Sequence, residues 1–462
     1  MKTFLLFSLI LWMLLSNSCS RSEFLDERPQ KSIIIPNTLE HYQRILDYDA
    51  TMNGAATRGV TPQLGESGSD NFYLSSSDLN SAFREQMRNY YLWNKQPYVG
   101  ESVTDWELPY KAVLSANTVL VGLDEFEKKN GISKESNFIR GQALFHRGYM
   151  FHQLSQVFAY PYKKDQTNNE PGIILRLEAD INEKLSRATV EETYNRIVMD
   201  VKKSINLLDE SPLHKARPSK QAAFALMARI YLSMSEYNLA KNYADSCLSL
   251  ENKLYDFNLV NFNLQSPFQG IRFENPINQE VIYFSAMLSE IGVIYPTNPF
   301  FAKVDSNLFK EYQEGDLRKK IFFQKYQDGY RFKGSYSFVG YEHYFTGLAV
   351  DEILLIRAEC NARLGDFQSA VIDMDKLLRA RWDKNIVYNS ASTLDDELLL
   401  EFILKERRKE LLFRGLRWSD LRRFNIEGRK ITLTRIVGNE QYDLLPTDSR
   451  WVWPLPLEVI VN

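Results

Sequence analysis

The segment KQAAFALMARIYLSMSEYNLAKNYADSCLSL, residues 220–250, carries the clearest information about the fold. Apolar and small residues recur in it at intervals of three and four, the spacing of one face of an α-helix. Two helices each carry one set of them: Phe224, Met227, Ala228 and Tyr231, followed by Tyr237, Ala240, Ala244 and Cys247. The small residues let the two helices approach closely, and the aromatic residues fill the space between them.

These spacings match a tetratricopeptide repeat (TPR), in which each repeat is a pair of helices. A second match lies at 354–377, with Gly365 and Asp366 as the turn; its residues are Leu354, Ala358, Phe367, Ala370, Met374 and Leu377. Ala240 and Ala370 hold the same motif position but lie 130 residues apart, whereas the usual period is about 34. We therefore predict an all-α fold of TPR-like helix pairs with large irregular loop insertions. Two unrelated amphipathic hairpins are the alternative.

The main insertion runs from about 253 to 346 and is rich in aromatic, Gly, Pro and Asn residues, as in YQDGYRFKGSYSF. Short alternating runs separated by turn signals predict irregular structure with small hairpins. Long loops on a rigid scaffold are where binding surfaces tend to be built.

Length and charge limit the possible domain organisation and the possible binding partners. A chain of 462 residues is long for one hydrophobic core, which predicts two lobes or one large elaborated domain. Its 56 basic residues nearly cancel 59 acidic ones, for a net charge of −3. No long-range field would draw it to nucleic acid or anionic lipid. An aromatic content of 13% can supply both a core and a stacking surface.

The N-terminal sequence is typical of an export signal. The apolar run from Phe4 to Leu15 is too short to span a bilayer comfortably but fits a signal peptide. It resembles a bacterial lipoprotein signal, although Ser16 stands three positions before Cys19, where Leu is favoured. We predict a signal peptide at 1–18, acylation of Cys19, and a tether and extended arm at 19–35. The alternative is a plain secretory signal cut near Ser18.

The familiar catalytic signatures are absent from the sequence. It contains no GxxxxGK[ST], GxGxxG or HExxH motif, and GESGS at 65–69 narrowly misses a nucleophile elbow. His146 and His152 are six residues apart and fall on different helix faces, so they cannot form a metal-binding pair. We expect no catalysis, no metal and no cofactor.

The segment KERRKELLFRGLRWSDLRRF, residues 405–424, is the most distinctive motif. The pattern predicts a charged amphipathic helix in which Glu410 and Arg414 form an i, i+4 ion pair. Gly415 would permit a bend or close packing. A solvated helix that docks one lobe on the other is sufficient to explain it, so we predict a structural role.

Several residues of this segment resemble the C-terminal signature of the SusD/RagB family: Glu406-Arg407-Arg408, Glu410-Leu411, Gly415, Arg417-Trp418 and Asp420-Leu421-Arg422. Members of the family often carry an acidic residue where this chain has Arg414. We interpret this position as lying on a helix surface, where the difference matters little. The lipoprotein signal, the GESGSDNFYL loop, the RGQALFHRGYMFHQLSQVFAYPY helix and the closing VWPLPLEVIVN agree in order. The resemblance covers nearly the whole mature chain.

The resemblance implies an N-terminal SusD-like region at 36–218 and a C-terminal RagB/SusD region at 219–462. It also implies a cell-surface lipoprotein of the outer membrane that captures a glycan, or in some members a peptide, and passes it to a SusC-type TonB-dependent transporter. No catalysis is implied. A lipid-anchored all-α glycoside hydrolase and a TPR-type protein-interaction adaptor remain the alternatives.

A ligand site for a glycan needs exposed aromatic rings flanked by Asp, Asn or Arg, because sugars offer apolar C–H faces and pairs of hydroxyls. Two loop regions meet this description. The first, at 70–98, contributes Asp70, Asn71, Tyr73, Trp93 and Tyr98, and the second, inside the insertion, contributes Tyr330, Arg331 and Tyr336. The family resemblance favours the first region.

Overall fold

The computed structural model describes residues 36–54, 59–81, 84–180, 182–211, 214–268, 279–289, 302–336, 344–457 and 459. The predicted signal peptide, Cys19 and the arm at 19–35 lie outside these residues. The body that starts at Thr38 is helix-dominated, and its strands are two to five residues long. The all-α prediction is therefore confirmed.

The N-terminal half is built on three long packed helices. These are α6 (Thr104–Asn130), α7 (Lys134–Phe158) and α8 (Val190–Leu207). Short elements precede them: α1 (Leu39–Leu46), α2 (Asp49–Met52), α3 (Leu64–Gly68), β1 (Phe72–Tyr73), α4 (Ser76–Asn80) and α5 (Glu85–Tyr91). Helix α8 begins at a capping box in which Thr189 and Glu192 each accept a backbone hydrogen bond from the other.

Both predicted TPR-like pairs are present. The first is α9 (Lys220–Ser233) with α10 (Tyr237–Leu250), and the second is α13 (Val350–Arg363) with α14 (Phe367–Arg379). Ala240 and Ala370 are fully buried between their helices. Helix α10 also packs on α13, and Arg357 of α13 reaches Asp245 of α10 at 3.0 Å. The two pairs are thus neighbours in space although the insertion separates them in sequence.

The insertion forms short elements that pair with distant parts of the chain. They are β2 (Val281–Tyr283), β3 (Lys303–Val304), α11 (Ser306–Lys310), α12 (Arg318–Ile321), β4 (Phe323–Tyr326), β5 (Gly329–Phe332) and β6 (Leu348–Ala349). All pairings are antiparallel: β1 with β3, β2 with β6, and β4 with β5 as a hairpin. One small hairpin, β4–β5, is present in the described part of the insertion as predicted, and β1–β3 joins the insertion to the N-terminal loops.

The C-terminal region contains α15 (Asp396–Glu410), α16 (Arg417–Ile426) and a hairpin of β7 (Leu433–Val437) with β8 (Glu440–Leu444). The prediction of one amphipathic helix over 405–424 is wrong, because the chain turns between α15 and α16. Phe413 and Gly415 have φ angles of +57° and +71° in this turn, a region that glycine adopts freely. The bend predicted at Gly415 is confirmed.

Candidate functional site

The charges of the 405–424 segment point into the protein. Arg381 donates to Glu280 at 2.6 Å and to Glu410 at 2.8 Å, and all three side chains are fully buried. Arg414 donates to both carboxylate oxygens of Asp351, at 2.9 and 2.6 Å. Burial, together with the carboxylates of Asp351 and Glu410, raises the pKa of Glu280 to about 8 despite the nearby Arg381. We call these five residues the buried ion cluster.

This geometry corrects two predictions for Arg414. It does not pair with Glu410, whose carboxylate is instead held by Arg381 and by Arg318. Nor does it lie on a helix surface, since only 7% of it is exposed. The physical reason is the turn at 411–416, which carries Arg414 off the helix of Glu410 and toward Asp351.

Other charges of the segment are paired in the same way. Arg407 donates to Asp420 at 2.9 Å, and Arg423 donates to both oxygens of Glu359 at 2.5 and 2.7 Å. Burial alone would raise the pKa of Glu359, but the Arg423 guanidinium outweighs it and lowers that pKa to about 2. The expectation of a solvated helix is wrong, since these side chains are buried. These buried ion pairs connect α15 and α16 to each other and to α13.

Asp70 and Asn71, two of the predicted ligand residues, are tied to this segment. Arg417 donates to both oxygens of Asp70 at 2.8 and 2.9 Å, and Arg408 lies 3.2 Å away. Burial opposes ionisation of Asp70, yet these two guanidinium groups hold its pKa well below its usual range. Asn71 is buried and donates to Glu66 at 2.7 Å. Asp70 fixes the loop to α16 through Arg417, and Asn71 holds the loop together through Glu66.

Three predicted aromatic residues are buried, so the expectation of exposed rings is corrected for them. Trp93 donates its indole N–H to the Gly68 carbonyl, and Tyr98 donates its hydroxyl to the Pro454 carbonyl at 2.6 Å. Tyr336 donates to Glu280 at 3.0 Å beside the buried ion cluster. Their exposed fractions are 2%, 6% and 1%, in that order. Each ring packs in the core because its polar atom finds a partner there.

Trp93 and Tyr98 nevertheless border open space. A cleft of about 410 Å³ lies between the loop at 94–100 and the C-terminal segment. It is lined by Glu85, Asn89, Asn94, Lys95, Gln96, Pro97, Tyr98, Val99, Gly100, Pro454, Leu455 and Leu457. A neighbouring cleft of about 220 Å³ shares Asn94, Lys95 and Pro454 and reaches Trp93. We call the two together the terminal cleft.

The rim of the terminal cleft is exposed and strained. Asn94, Lys95 and Gln96 are exposed, and Val99 is 50% exposed with φ at +53°. A β-branched residue rarely adopts this conformation, and such strain tends to occur at ligand sites. The sequence reasoning missed Asn94, Lys95 and the wall at 454–457, although Trp93 and Tyr98 marked the loop and VWPLPLE marked the wall.

Tyr73, Tyr330 and Arg331, the remaining predicted residues, lie where β1 and β3 meet the β4–β5 hairpin. Tyr73 of β1 lies opposite Lys303 of β3, which pairs with Asp328 in the β4–β5 turn at 2.7 Å. Tyr330 is half-buried and stacks on Phe309, with ring centroids 3.6 Å apart. The structure therefore brings the 70–98 region and the insertion together through β1, β3 and β5. Arg331 lies on the same hairpin, with its guanidinium 3.3 Å from the centre of the Tyr326 ring.

In the described part of the chain, no helix is both long and apolar enough to cross a membrane.

Comparison with known proteins identifies the family. Residues 23–232 match the family described as "Starch-binding associating with outer membrane", and residues 320–451 match the SusD family. The chain belongs to the SusD/RagB family. The SusD-like protein P2 of Formosa agariphila is 22% identical over 372 residues, which cover 70% of this chain and 71% of that protein.

Solved structures share the fold over most of the chain. A SusD superfamily protein of Bacteroides thetaiotaomicron superposes with a TM-score of 0.71 at 20% identity and covers 92% of this chain and 98% of its own. A SusD-like carbohydrate binding protein of Bacteroides fragilis gives a TM-score of 0.63 at 13% identity, with coverage of 92% and 98%. The SusD-like fold predicted from the sequence is confirmed.

Proposed function

We propose that this protein is a cell-surface lipoprotein that captures a glycan in the terminal cleft and passes it to a SusC-type TonB-dependent transporter. The observation that carries the proposal is the cleft itself, where exposed amides lie beside apolar surface. Membership of a family described as starch-binding and associated with the outer membrane supports it. The role is binding without catalysis, and the proposed ligand class is an oligosaccharide, with a peptide as the alternative.

The chemistry of the terminal cleft suits sugars. Asn94 and Gln96 offer exposed amide groups that both donate and accept hydrogen bonds, as adjacent sugar hydroxyls require. Val99 and Leu457 are 50% and 63% exposed and provide apolar surface for C–H faces. The volume of about 410 Å³ lies in the range of small-ligand sites.

The proposed attachment is through acylated Cys19, whose lipid would hold the protein at the outer membrane. Replacement of Cys19 by Ala should release folded protein from the membrane fraction and abolish labelling by a fatty-acid probe. Unchanged retention and labelling would contradict the lipid anchor.

The ligand site is tested by titration. The purified protein is screened against neutral oligosaccharides and peptides, and the best ligand is titrated into Asn94→Ala. Loss of its hydrogen bonds should weaken binding about tenfold. Asn195→Ala is the matched control, because Asn195 is also exposed and bonded only to a near neighbour, Glu191.

Two results would contradict this proposal. Equal affinity of Asn94→Ala and the parent would remove the site from the cleft. Release of reducing sugar from the bound oligosaccharide would favour the glycoside hydrolase alternative.

A further inference from the structure

The β4–β5 hairpin presents an outer face with its own chemistry. Arg331 lies opposite Gln324 in the register, and Phe323 and Phe332 pair on the side that faces the core. Because side chains alternate along a strand, Arg331 is on the outer side of the hairpin. Lys333 follows two residues later and donates to the backbone carbonyls of Phe262 and Leu264. We call Phe262, Gln324, Tyr326, Arg331 and Lys333 the hairpin face.

Arg331 differs from the other arginines that the structure describes. None of the described residues accepts a hydrogen bond from its guanidinium, and none forms an ion pair with it through a carboxylate. The group is half-buried and held flat on the Tyr326 ring, 3.3 Å from its centre. Stacking orients it without using its N–H donors, so a planar fork of donors is available to an outside anion.

Further positive charge lies on both sides of the hairpin. Lys333 is on the same side as Arg331, whereas Lys325, opposite Tyr330 in the register, and Lys319, 5.4 Å from the Phe309 ring, are on the side of Phe323 and Phe332. The exposed acid of the β4–β5 turn, Asp328, is already paired with Lys303. On a chain whose net charge is −3, these cations make the hairpin as a whole a local attractor for anions.

Apolar and amide groups lie beside these cations. Phe262 is 43% exposed, and Lys320 lies 6.0 Å from its ring. Gln324 is exposed next to Arg331. An aromatic ring, an amide and an oriented guanidinium together suit a sugar ring that carries an acidic substituent.

We propose that the hairpin face binds the carboxylate or sulfate groups of an acidic glycan, with Arg331 as the residue that selects charge. This inference rests on the proposed glycan-binding function and extends it to a ligand class. The guanidinium donates to two oxygens of the anionic group, and Lys333 on the same side strengthens the field around it.

Three polymers with one backbone test the proposal: dextran, dextran sulfate and carboxymethyl dextran, by titration calorimetry at low and high salt. The parent should prefer one or both charged polymers, more strongly at low salt. Arg331→Gln should lose at least tenfold in affinity for them, as expected for charge-assisted hydrogen bonds. Arg331→Lys, which keeps the charge but not the planar fork, should lose less.

Arg379→Gln is the matched control, because Arg379 also lies over a tyrosine ring, 4.8 Å from the centre of Tyr388, but has a carboxylate from Asp375 3.8 Å away. Its affinity for the charged polymers should equal that of the parent. Circular dichroism confirms that each variant is folded.

Three outcomes would overturn the inference: no preference for the charged polymers, equal affinity of folded Arg331→Gln and the parent, or Arg331-dependent binding of polyglutamate alone. Arg331→Gln should leave neutral-ligand affinity unchanged, whereas Asn94→Ala should lower it. Failure at the hairpin face is therefore distinguishable from failure of the proposed function.

Discussion

The buried ion cluster and the terminal cleft are both dense in polar side chains, but those side chains have different partners. In the cluster, Arg381 and Arg414 are paired with carboxylates of the same chain. In the cleft, Asn94, Lys95 and Gln96 are exposed on the rim. Charge density alone therefore does not mark a binding site. A polar group whose bonding capacity is left over for solvent is the better indicator.

Removal of Arg381 should produce the largest effect on stability. Arg381→Met leaves Glu280, Asp351 and Glu410 without the cation between them, and breaking a buried pair costs about 3–5 kcal/mol. Arg379→Met, two residues away and 61% exposed, is the control and should stay within about 0.5 kcal/mol of the parent. Urea unfolding measures both. An unchanged midpoint for Arg381→Met would mean that the cluster does not stabilise the fold.

The next largest effect is expected at Trp418, which is 1% exposed and packs on Trp451 with ring centroids 4.6 Å apart. Trp418→Ala should lower the free energy of unfolding by about 3–5 kcal/mol. Ligand affinity of the folded variant should hardly change. Trp382→Ala, at a half-exposed position, should cost less. Loss of ligand binding with unchanged stability would contradict the structural role and assign Trp418 to the ligand site.

Low pH should destabilise the fold by protonating carboxylates in buried ion pairs, such as that of Glu359. The pKa of Glu359 is lowered from 4.5 to about 2, so its stabilisation is present above the unfolded value and is lost as pH falls through that interval. The full contribution is about 3 kcal/mol. Between about pH 5 and about pH 3, Glu359→Gln should show a shallower fall of unfolding free energy with pH than the parent. Glu40→Gln, which removes an exposed pair, should keep the slope of the parent.

The smallest effect on stability is expected at Val99, and it tests the terminal cleft. Val99→Gly relieves the positive φ of the cleft loop but adds conformational entropy to the unfolded chain, so stability should change by less than about 1 kcal/mol. Affinity for the oligosaccharide should fall several-fold, because the loop loses apolar surface and rigidity. Unchanged affinity would exclude this loop from the site.

Much of the scaffold could be predicted, because helix pairs are encoded by local spacing. Ala240 and Ala370 were identified from periodicity alone and are fully buried. Arg414 could not be placed from the sequence, because its partner Asp351 lies 63 residues away and the turn at Gly415 decides its direction. Exposure of Trp93 and Tyr98 was mispredicted for a similar reason. Their polar atoms bond to backbone carbonyls that no sequence pattern reveals.

The links between Asp70 and Arg417, 347 residues apart, have a consequence for the order of folding. A chain made from its N-terminus cannot complete this contact until Arg417 has been synthesised, nor the pairing of Asp351 with Arg414 until Arg414 has been synthesised. Contacts of such long range make the closing steps of folding slow. A truncated copy lacking α16 would keep both TPR-like pairs, but Asp70 would keep only Arg408 and Glu359 only Arg363 as an arginine partner. The C-terminal segment thus completes the pairing of a carboxylate, Asp70, that lies far earlier in the sequence.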